Sequence, residues 1–261
     1  MAPSNDAPDL AVVVPVRNEV LNVGPLIAEI VEALKNSGTF EIIFVDDGSD
    51  DETLSTLTEL MSKHAALRIL HHEKSVGQSA AIASGVKAAR SGVIATLDGD
   101  GQNDPADLPL LLDKFEEVDK GPIDFLLVTG HRTKRRDTAI KRLSSRIANW
   151  IRSGLLNDRT PDTGCGLKVF TRAAFLDMPR FDHMHRFLPA LMIRRGGRSV
   201  SVYVNHRPRE RGISNYGTLD RLWVGISDLI GVMWLLRRAS KPIVEEIEAP
   251  DVEEIEAEMN S

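Results

Sequence analysis

An α/β fold with a parallel sheet covered by helices on both faces is predicted by three observations. β-rich apolar runs alternate with helically spaced apolar residues from Leu10 to Leu97, the pattern of repeated βα units. Acidic and polar residues cluster where those runs end, at Pro15–Glu19, Asp46–Ser49 and Asp98–Asp100. The chain has 261 residues, 42% of them hydrophobic, which supplies a sizeable core.

The elements follow in order. Leu10–Val16 reads as a buried strand, and Val23, Ile27, Ile30, Val31 and Leu34 repeat at helical spacing before a stop at Gly38. Phe40–Val45 is the second strand. Asp50–His64 reads as a helix capped by Ser49 or Asp50, Leu67–Leu70 as a short strand, Gln78–Arg90 as a small-residue helix ending near Gly92, and Val93–Leu97 as the next strand. Beyond it, Pro105–Val118 is a helix with Leu108, Leu111, Leu112 and Phe115 as its core stripe, and Ile123–Thr129 is a strand leading into Gly130-His131-Arg132. Arg198–Asn205 alternates like a strand.

In such a sheet, ligands sit at the carboxyl ends of the strands, so the three polar strand ends fall on one rim. Asp98 and Asp100 stand two residues apart with glycines beside them, and Gln102 adds an amide oxygen. Hard oxygen ligands of this kind suit Mg²⁺ or Mn²⁺ bound together with substrate phosphates. Neither GxGxxG nor GxxxxGK[ST] follows the first strand, which disfavours a dinucleotide-binding domain and a P-loop nucleotidase.

Charge and composition exclude other classes. The net charge is −6, yet Glu245–Glu258 holds eight acids; subtracting them from 38 leaves 30 against 32 Lys and Arg, so the body is near neutral. With aromatic residues at 5%, nucleic acid is not an expected partner. The single Cys165 rules out an internal disulfide and a Cys-based zinc cluster, which fits a reducing compartment. Met1–Asp9 lacks the features of a secretory signal, and no stretch reaches the roughly 20 apolar residues of a membrane span.

Two segments carry helically spaced apolar residues beside charge, the first of them either a solvated basic face or one that rests on anionic lipid headgroups. Arg132–Arg146 carries seven Lys or Arg and one acid beside helically spaced Ile140, Leu143, Ile147, Trp150 and Ile151. Leu219–Arg238 spaces Leu222, Trp223, Ile226, Leu229, Ile230, Met233 and Trp234 around a helix flanked by Arg221, Arg237, Arg238 and Lys241. Such a helix suits the interface of an anionic membrane, or packing on the core or on a second subunit.

Three stretches together, Pro15-Val-Arg-Asn-Glu19, Val45-Asp-Asp-Gly-Ser-Asp-Asp-Glu-Thr53 and Leu97-Asp-Gly-Asp-Gly-Gln-Asn-Asp-Pro105, resemble the family 2 glycosyltransferases of GT-A fold. The Asp-x-Asp-x-Gln-x-x-Pro form is similar to the branch that includes dolichol-phosphate-mannose synthase and the polyprenyl-phosphate sugar transferases. The resemblance implies a Rossmann-like, mixed and mostly parallel sheet flanked by helices, with the C-terminal amphipathic helix appended. It places the glycosyltransferase domain at residues 10–218, while composition and apolar spacing read the flanks as a flexible N-terminus at 1–9, an interfacial helix at 219–241 and an acidic disordered tail at 242–261.

It also implies roles. Pro15, Arg17, Glu19, Asp46 and Asp47 would line the pocket for base and ribose, with Asp98, Gly99 and Asp100 against the diphosphate. Asp100 and Gln102 would be the firmest ligands of Mg²⁺ or Mn²⁺, and Asp98 a metal or sugar contact. Arg17 stands where relatives often carry Tyr. Arg132 would bind phosphate, and Asp162, in Thr160-Pro-Asp-Thr-Gly-Cys-Gly-Leu-Lys168, would orient an acceptor or take its proton. In His206-Arg-Pro-Arg-Glu-Arg-Gly-Ile-Ser-Asn-Tyr216, Arg209 and Ser214 match a phosphate-clamping pattern, with Arg207 and Arg211 beside them and Asn215 where lysine is usual. Asp100, Arg132, Asp162 and Arg209 are thus the expected catalytic set.

The implied reaction is metal-dependent, inverting transfer of a sugar from a nucleoside diphosphate to a polyprenyl phosphate at the cytoplasmic membrane face. Peripheral contact with anionic lipid is expected, and a homo-oligomer is compatible. The alternatives are the same donor chemistry with a soluble glycan or protein acceptor, and an inactive interaction protein that kept the fold.

Overall fold

The computed structural model describes residues 7–118, 125–132, 152–158, 160–208 and 218–238. Its strands are β1 (Leu10–Val16), β2 (Phe40–Asp47), β3 (Leu67–His72), β4 (Val93–Thr96), β5 (Leu126–Arg132), β6 (Lys168–Thr171) and β7 (Arg198–Val204). They form one sheet in the order β3-β2-β1-β4-β6-β5-β7. Among these described strands only β6 runs against its neighbours, pairing antiparallel with β4 and β5. The mixed, mostly parallel sheet is therefore as expected, and β1 lies centrally between β2 and β4.

Helices α1 (Val20–Leu34), α2 (Thr53–Met61), α3 (Gln78–Ala88), α4 (Leu108–Glu117), α5 (Arg172–Leu176), α6 (Leu188–Arg194) and α7 (Thr218–Arg237) cover the sheet. Alternate β1 and β2 residues feed two cores. Val12, Val14, Ile42 and Phe44 join α1 and α4 in one, and Val13, Ile43 and Val45 join α3, α5, α6 and α7 in the other. Every residue of β1 is consequently buried, which explains its unbroken apolar run. Small residues let α3 approach closely: a Cβ on Gly85 would stand 2.4 Å from Val13 Cγ1.

Several boundaries differ from expectation, each for a local reason. β2 continues through Asp46 and Asp47 because these residues stay in ladder register with His71 and His72, which also lengthens β3. α2 starts at Thr53 because the expected caps are engaged elsewhere: Ser49 bonds Asp46, and Asp50 accepts from the Asn18 amide at 2.6 Å. Pro105–Asp107 forms a short 3₁₀ turn ahead of α4, with Asp104 Oδ1 accepting from the Ala106 amide at 3.0 Å. β5 extends to Arg132, while residues 123 and 124 lie outside the described residues. β6, α5 and α6 were not foreseen.

The N-terminal boundary also shifts, since Asp9 is anchored. Its carboxylate accepts from the Thr39 amide at 2.8 Å, closing the turn at Gly38. At the other end, α7 packs Leu229, Val232, Met233 and Leu236 on the second core, and Arg194 Nε donates to the Leu235 carbonyl at 3.0 Å. Its opposite side leaves Ile226, Ile230 and Trp234 exposed. Among the described residues no helix is long and apolar enough to cross a membrane. The basic stretch at 133–151 and the tail at 239–261 lie outside the described residues.

Candidate active site

The ends of β1, β2 and β4 meet on one rim, as the topology requires. Asn18 adopts a left-handed backbone, φ 57°, and exchanges hydrogen bonds with Asp50 while its amide donates to Ser49 Oγ at 2.9 Å. This laces the β1 exit to the β2 exit. The Glu19 amide donates to Thr53 Oγ1 at 2.9 Å, and Glu19 Oε2 accepts from Asn22 at 2.6 Å. Arg17 is exposed on this rim, whereas Pro15 is buried in β1 with its carbonyl 3.0 Å from where a Gly99 Cβ would stand. A side chain at Gly99 would also strike Val16 Cγ1 at 2.4 Å, so glycine permits the β4 exit to cross β1.

Asp46 and Asp47 are not presented to solvent. Asp46 is fully buried, with Ser49 Oγ bonding one oxygen and His71 Nδ1 2.8 Å from the other. Asp47 accepts from the Val76 amide at 3.0 Å, the Gly77 amide at 2.8 Å and Ser75 Oγ at 2.7 Å, with His72 Nδ1 at 2.8 Å. Burial pushes the Asp47 carboxyl upward, but these hydrogen bonds outweigh it and hold the group below its ordinary range. Both acids thus build the rim, and Asp47 shapes the turn that starts α3.

The acidic pair lies just beyond β4. The Asp98 amide donates to Asn103 Oδ1 at 2.8 Å, and Asp98 Oδ1 accepts from Gln78 Nε2 at 2.7 Å. Asp100 Oδ1 accepts from the Gln102 amide at 3.1 Å, which keeps the turn tight. Burial raises the Asp98 pKa, and the charge of Asp100 adds to it, while Lys168, Gln78 and Arg132 oppose the shift. A buried carboxylate with a second one two residues on, and Gln102 adjacent, is a fitting oxygen donor set for a divalent cation. Among the described residues no three His, Cys, Asp or Glu side chains cluster for metal binding, so such a cation would draw its remaining ligands from amide, water or phosphate oxygen.

Arg132, at the end of β5, meets Asp162 in a two-pronged ion pair: Nε to Oδ2 at 2.7 Å and Nη2 to Oδ1 at 2.8 Å. Burial alone would lower the arginine pKa, but the hydrogen bonds and charge of Asp162 raise it. A Cβ on Gly164 would stand 3.3 Å from that guanidinium, so the loop beneath it has little room for a side chain. Cys165 is buried beside Gly130, and burial pushes its thiol pKa up, which fits a packed thiol. Lys168 is 3% exposed on β6, donates to the Cys165 carbonyl, and has its pKa lowered by burial despite the charge of Asp98.

The end of β7 secures the acidic loop. Asn205 donates to Asp107 through its backbone at 2.7 Å and its side chain at 3.1 Å, His206 bridges Asn103, and the Arg207 amide donates to the Gln102 carbonyl at 3.0 Å. The Arg207 guanidinium is shared between Glu29 of α1 and Asp104, both at 2.6 Å. Arg207 therefore works as a staple, and it borders a cavity of about 320 Å³ between α1 and the Asp100-Gly101 turn. Arg209, Arg211 and Ser214 lie outside the described residues.

Sequence reasoning passed over Gln78, Asn103, Lys168 and Asp107. Asn103 lay inside the quoted motif, where its side chain closes the loop on the Asp98 amide, and Gln78 stood at a helix start, but the Gln78–Asp98 bond joins separate chain segments and leaves no periodic signal.

The sequence matches glycosyl transferase family 2 over residues 11–178. It is 34% identical to dodecaprenyl-phosphate galacturonate synthase of Rhizobium johnstonii, over 90% of this chain and 69% of that protein. It is 32% identical to undecaprenyl-phosphate 4-deoxy-4-formamido-L-arabinose transferase of Pectobacterium atrosepticum, over 82% of this chain and 64% of that one. The chain thus spans about two thirds of the length of these curated relatives. In structure it resembles glucosyl-3-phosphoglycerate synthase of Mycobacterium tuberculosis in complex with Mn²⁺, UDP and glucosyl-3-phosphoglycerate, with TM-score 0.63 and 17% identity over 90% of this chain and 81% of that chain. A mannosyltransferase of Pyrobaculum calidifontis in complex with GDP-mannose and Mn²⁺ gives TM-score 0.64 and 17% identity, over 93% and 68%. These two share the GT-A fold with this chain.

Proposed function

Because this chain belongs to glycosyl transferase family 2, we propose that it moves a sugar from a nucleoside diphosphate to a polyprenyl phosphate, inverting the anomeric carbon. The observation that carries the reading is the Asp98/Asp100 pair, which follows β4 on the same rim as Arg132 at the end of β5. The two named relatives, whose names specify polyprenyl phosphates, support the acceptor class.

In this reaction the bond from the anomeric carbon to the donor diphosphate breaks, its electron pair leaving with the diphosphate. A phosphate oxygen of the lipid attacks from the opposite face and forms the new bond. Bound Mg²⁺ or Mn²⁺ would supply Lewis-acid stabilisation of the departing diphosphate. Asp98, Asp100 and Gln102 would hold that cation, and Arg17 and Glu19 would border the base and ribose. Arg132, pinned by Asp162 on one edge, offers Nη1 to a phosphate oxygen. Asp162 acts by fixing Arg132, since a lipid phosphate is already ionised and needs no strong base. Arg209, Arg211 and Ser214 are assigned to the acceptor phosphate with it.

Residues 10–218 form the catalytic unit in this reading. The exposed Ile226, Ile230 and Trp234 of α7, followed by Arg237 and Arg238, rest on anionic lipid at the cytoplasmic face, where the acceptor resides. The test is a donor screen with GDP- and UDP-sugars, Mn²⁺ or Mg²⁺, and short polyprenyl phosphate, reading released nucleotide and glycolipid. Lipid-dependent release from one donor is expected. Release indifferent to lipid would overturn the acceptor assignment, and no release from any donor would overturn the function.

A further inference from the structure

Asp98 is held on three sides by different parts of the chain. Its amide is tied to Asn103 Oδ1 at 2.8 Å, and Gly166 of the loop before β6 lies over a face of its carboxylate, where a Cβ would stand 2.3 Å from Cγ and Oδ2 and 2.5 Å from Oδ1. The third hold is the Gln78 amide, which donates from the first residue of α3 to Oδ1 at 2.7 Å. Among the described residues Oδ2 has no hydrogen-bond partner. A carboxylate with its backbone tied, one face against a glycine and one oxygen bonded has little rotational freedom left.

Gln78 itself is solvent-exposed, and its side-chain amide engages no other group among the described residues. Its helix is placed independently. The Asp47 cradle shapes the preceding turn, and Ser79 accepts from the His185 amide at 3.2 Å with its hydroxyl 2.7 Å from His185 Nδ1. The position of α3 does not depend on the Gln78 side chain, so the Gln78–Asp98 bond can be removed without disturbing the packing.

We propose that Gln78 is a positioning residue for the candidate metal site, fixing the Asp98 carboxylate through Oδ1 so that Oδ2 is the oxygen left to a cation. The proposal deepens the metal reading above and rests on it. Residues that orient a metal-ligating group typically contribute 10–100-fold to metal affinity. Such a residue acts only through its partner, and this separates positioning from direct ligation.

The experiment is Mn²⁺ binding to the full-length protein, without donor or acceptor, measured by the electron paramagnetic resonance signal of free Mn²⁺. It covers wild type, Gln78→Leu, Asp98→Ala, Asp100→Ala and the Gln78→Leu/Asp98→Ala double variant. Gln78→Leu is expected to weaken Mn²⁺ about tenfold, with an unchanged melting temperature, and to add nothing in the Asp98→Ala background. Wild-type affinity in Gln78→Leu, beside a loss in Asp100→Ala, would overturn the positioning role and leave the metal reading standing. A further loss in the double variant would make Gln78 a ligand in its own right and also overturn it. Equal Mn²⁺ binding by wild type and Asp100→Ala would overturn both.

Discussion

Arg132 and Asp162 share two parallel hydrogen bonds, at 2.7 and 2.8 Å, across the gap between the end of β5 and the loop that leads to β6. Both side chains are largely buried, and Asp162 is the main compensation for the Arg132 charge. Removing the carboxylate of such a pair costs about 3–5 kcal/mol, because the arginine charge stays buried and unpaired. Asp162→Ala is therefore expected to lower the melting temperature sharply. The milder Asp162→Asn separates positioning from base catalysis. Positioning predicts coupling of about 0.5–3 kcal/mol with Arg132→Lys in a double-mutant cycle on kcat/KM, together with an unchanged pH profile. A lost acidic limb in the pH profile of Asp162→Asn would instead make Asp162 the base.

Arg207 supports a second prediction, since its guanidinium bridges Glu29 and Asp104. A lysine offers one ammonium and cannot span both carboxylates in that geometry. Arg207→Lys and Arg207→Ala are expected to cost about 1 kcal/mol or less, because the pair with Glu29 is substantially exposed. Both are also expected to weaken Mn²⁺ binding by loosening the Gln102–Asp104 turn, with acceptor KM unchanged. A raised acceptor KM at unchanged melting temperature would return Arg207 to the acceptor phosphate.

His185 gives the fold a pH dependence of known sign. Burial, reinforced by the positive charge of Lys168, lowers its pKa from 6.5 to about 3. The folded state thus excludes a proton that the unfolded state accepts below pH 6.5, so its stabilising contribution is complete above that pH and shrinks as pH falls towards 3. Its imidazole retains some solvent contact, and between pH 7 and pH 5 the loss is roughly 1–2 kcal/mol. Urea titrations should show this slope in wild type and a flatter one in His185→Gln. Parallel slopes would sink the assignment.

The face of α7 that carries Ile226, Ile230 and Trp234 makes a fourth prediction. Replacing Ile230 and Trp234 with serine is expected to abolish flotation with anionic liposomes at an unchanged melting temperature, since the packed face is Leu229, Val232, Met233 and Leu236. Flotation that survives the change would move membrane contact to another surface.

The layered α/β architecture and the rim were legible in the residues alone. Both follow from local signals: apolar periodicity sets each element's type, and parallel βα units put the ends of β1, β2 and β4 on one side. The sequence also placed Asp98, Asp100 and Gln102 together, because a tight turn keeps neighbours in sequence near in space. It did not reveal that Asp46 and Asp47 are enclosed, that Arg207 is engaged by two carboxylates, or that Gln78 and Lys168 act on Asp98. Those relationships join residues from separate strands and helices, and a hydrogen bond between distant segments imposes no spacing on either one. Only the packing of α3 and β6 against the β4 exit decided which oxygen of Asp98 is bonded to Gln78 and which has no partner among the described residues.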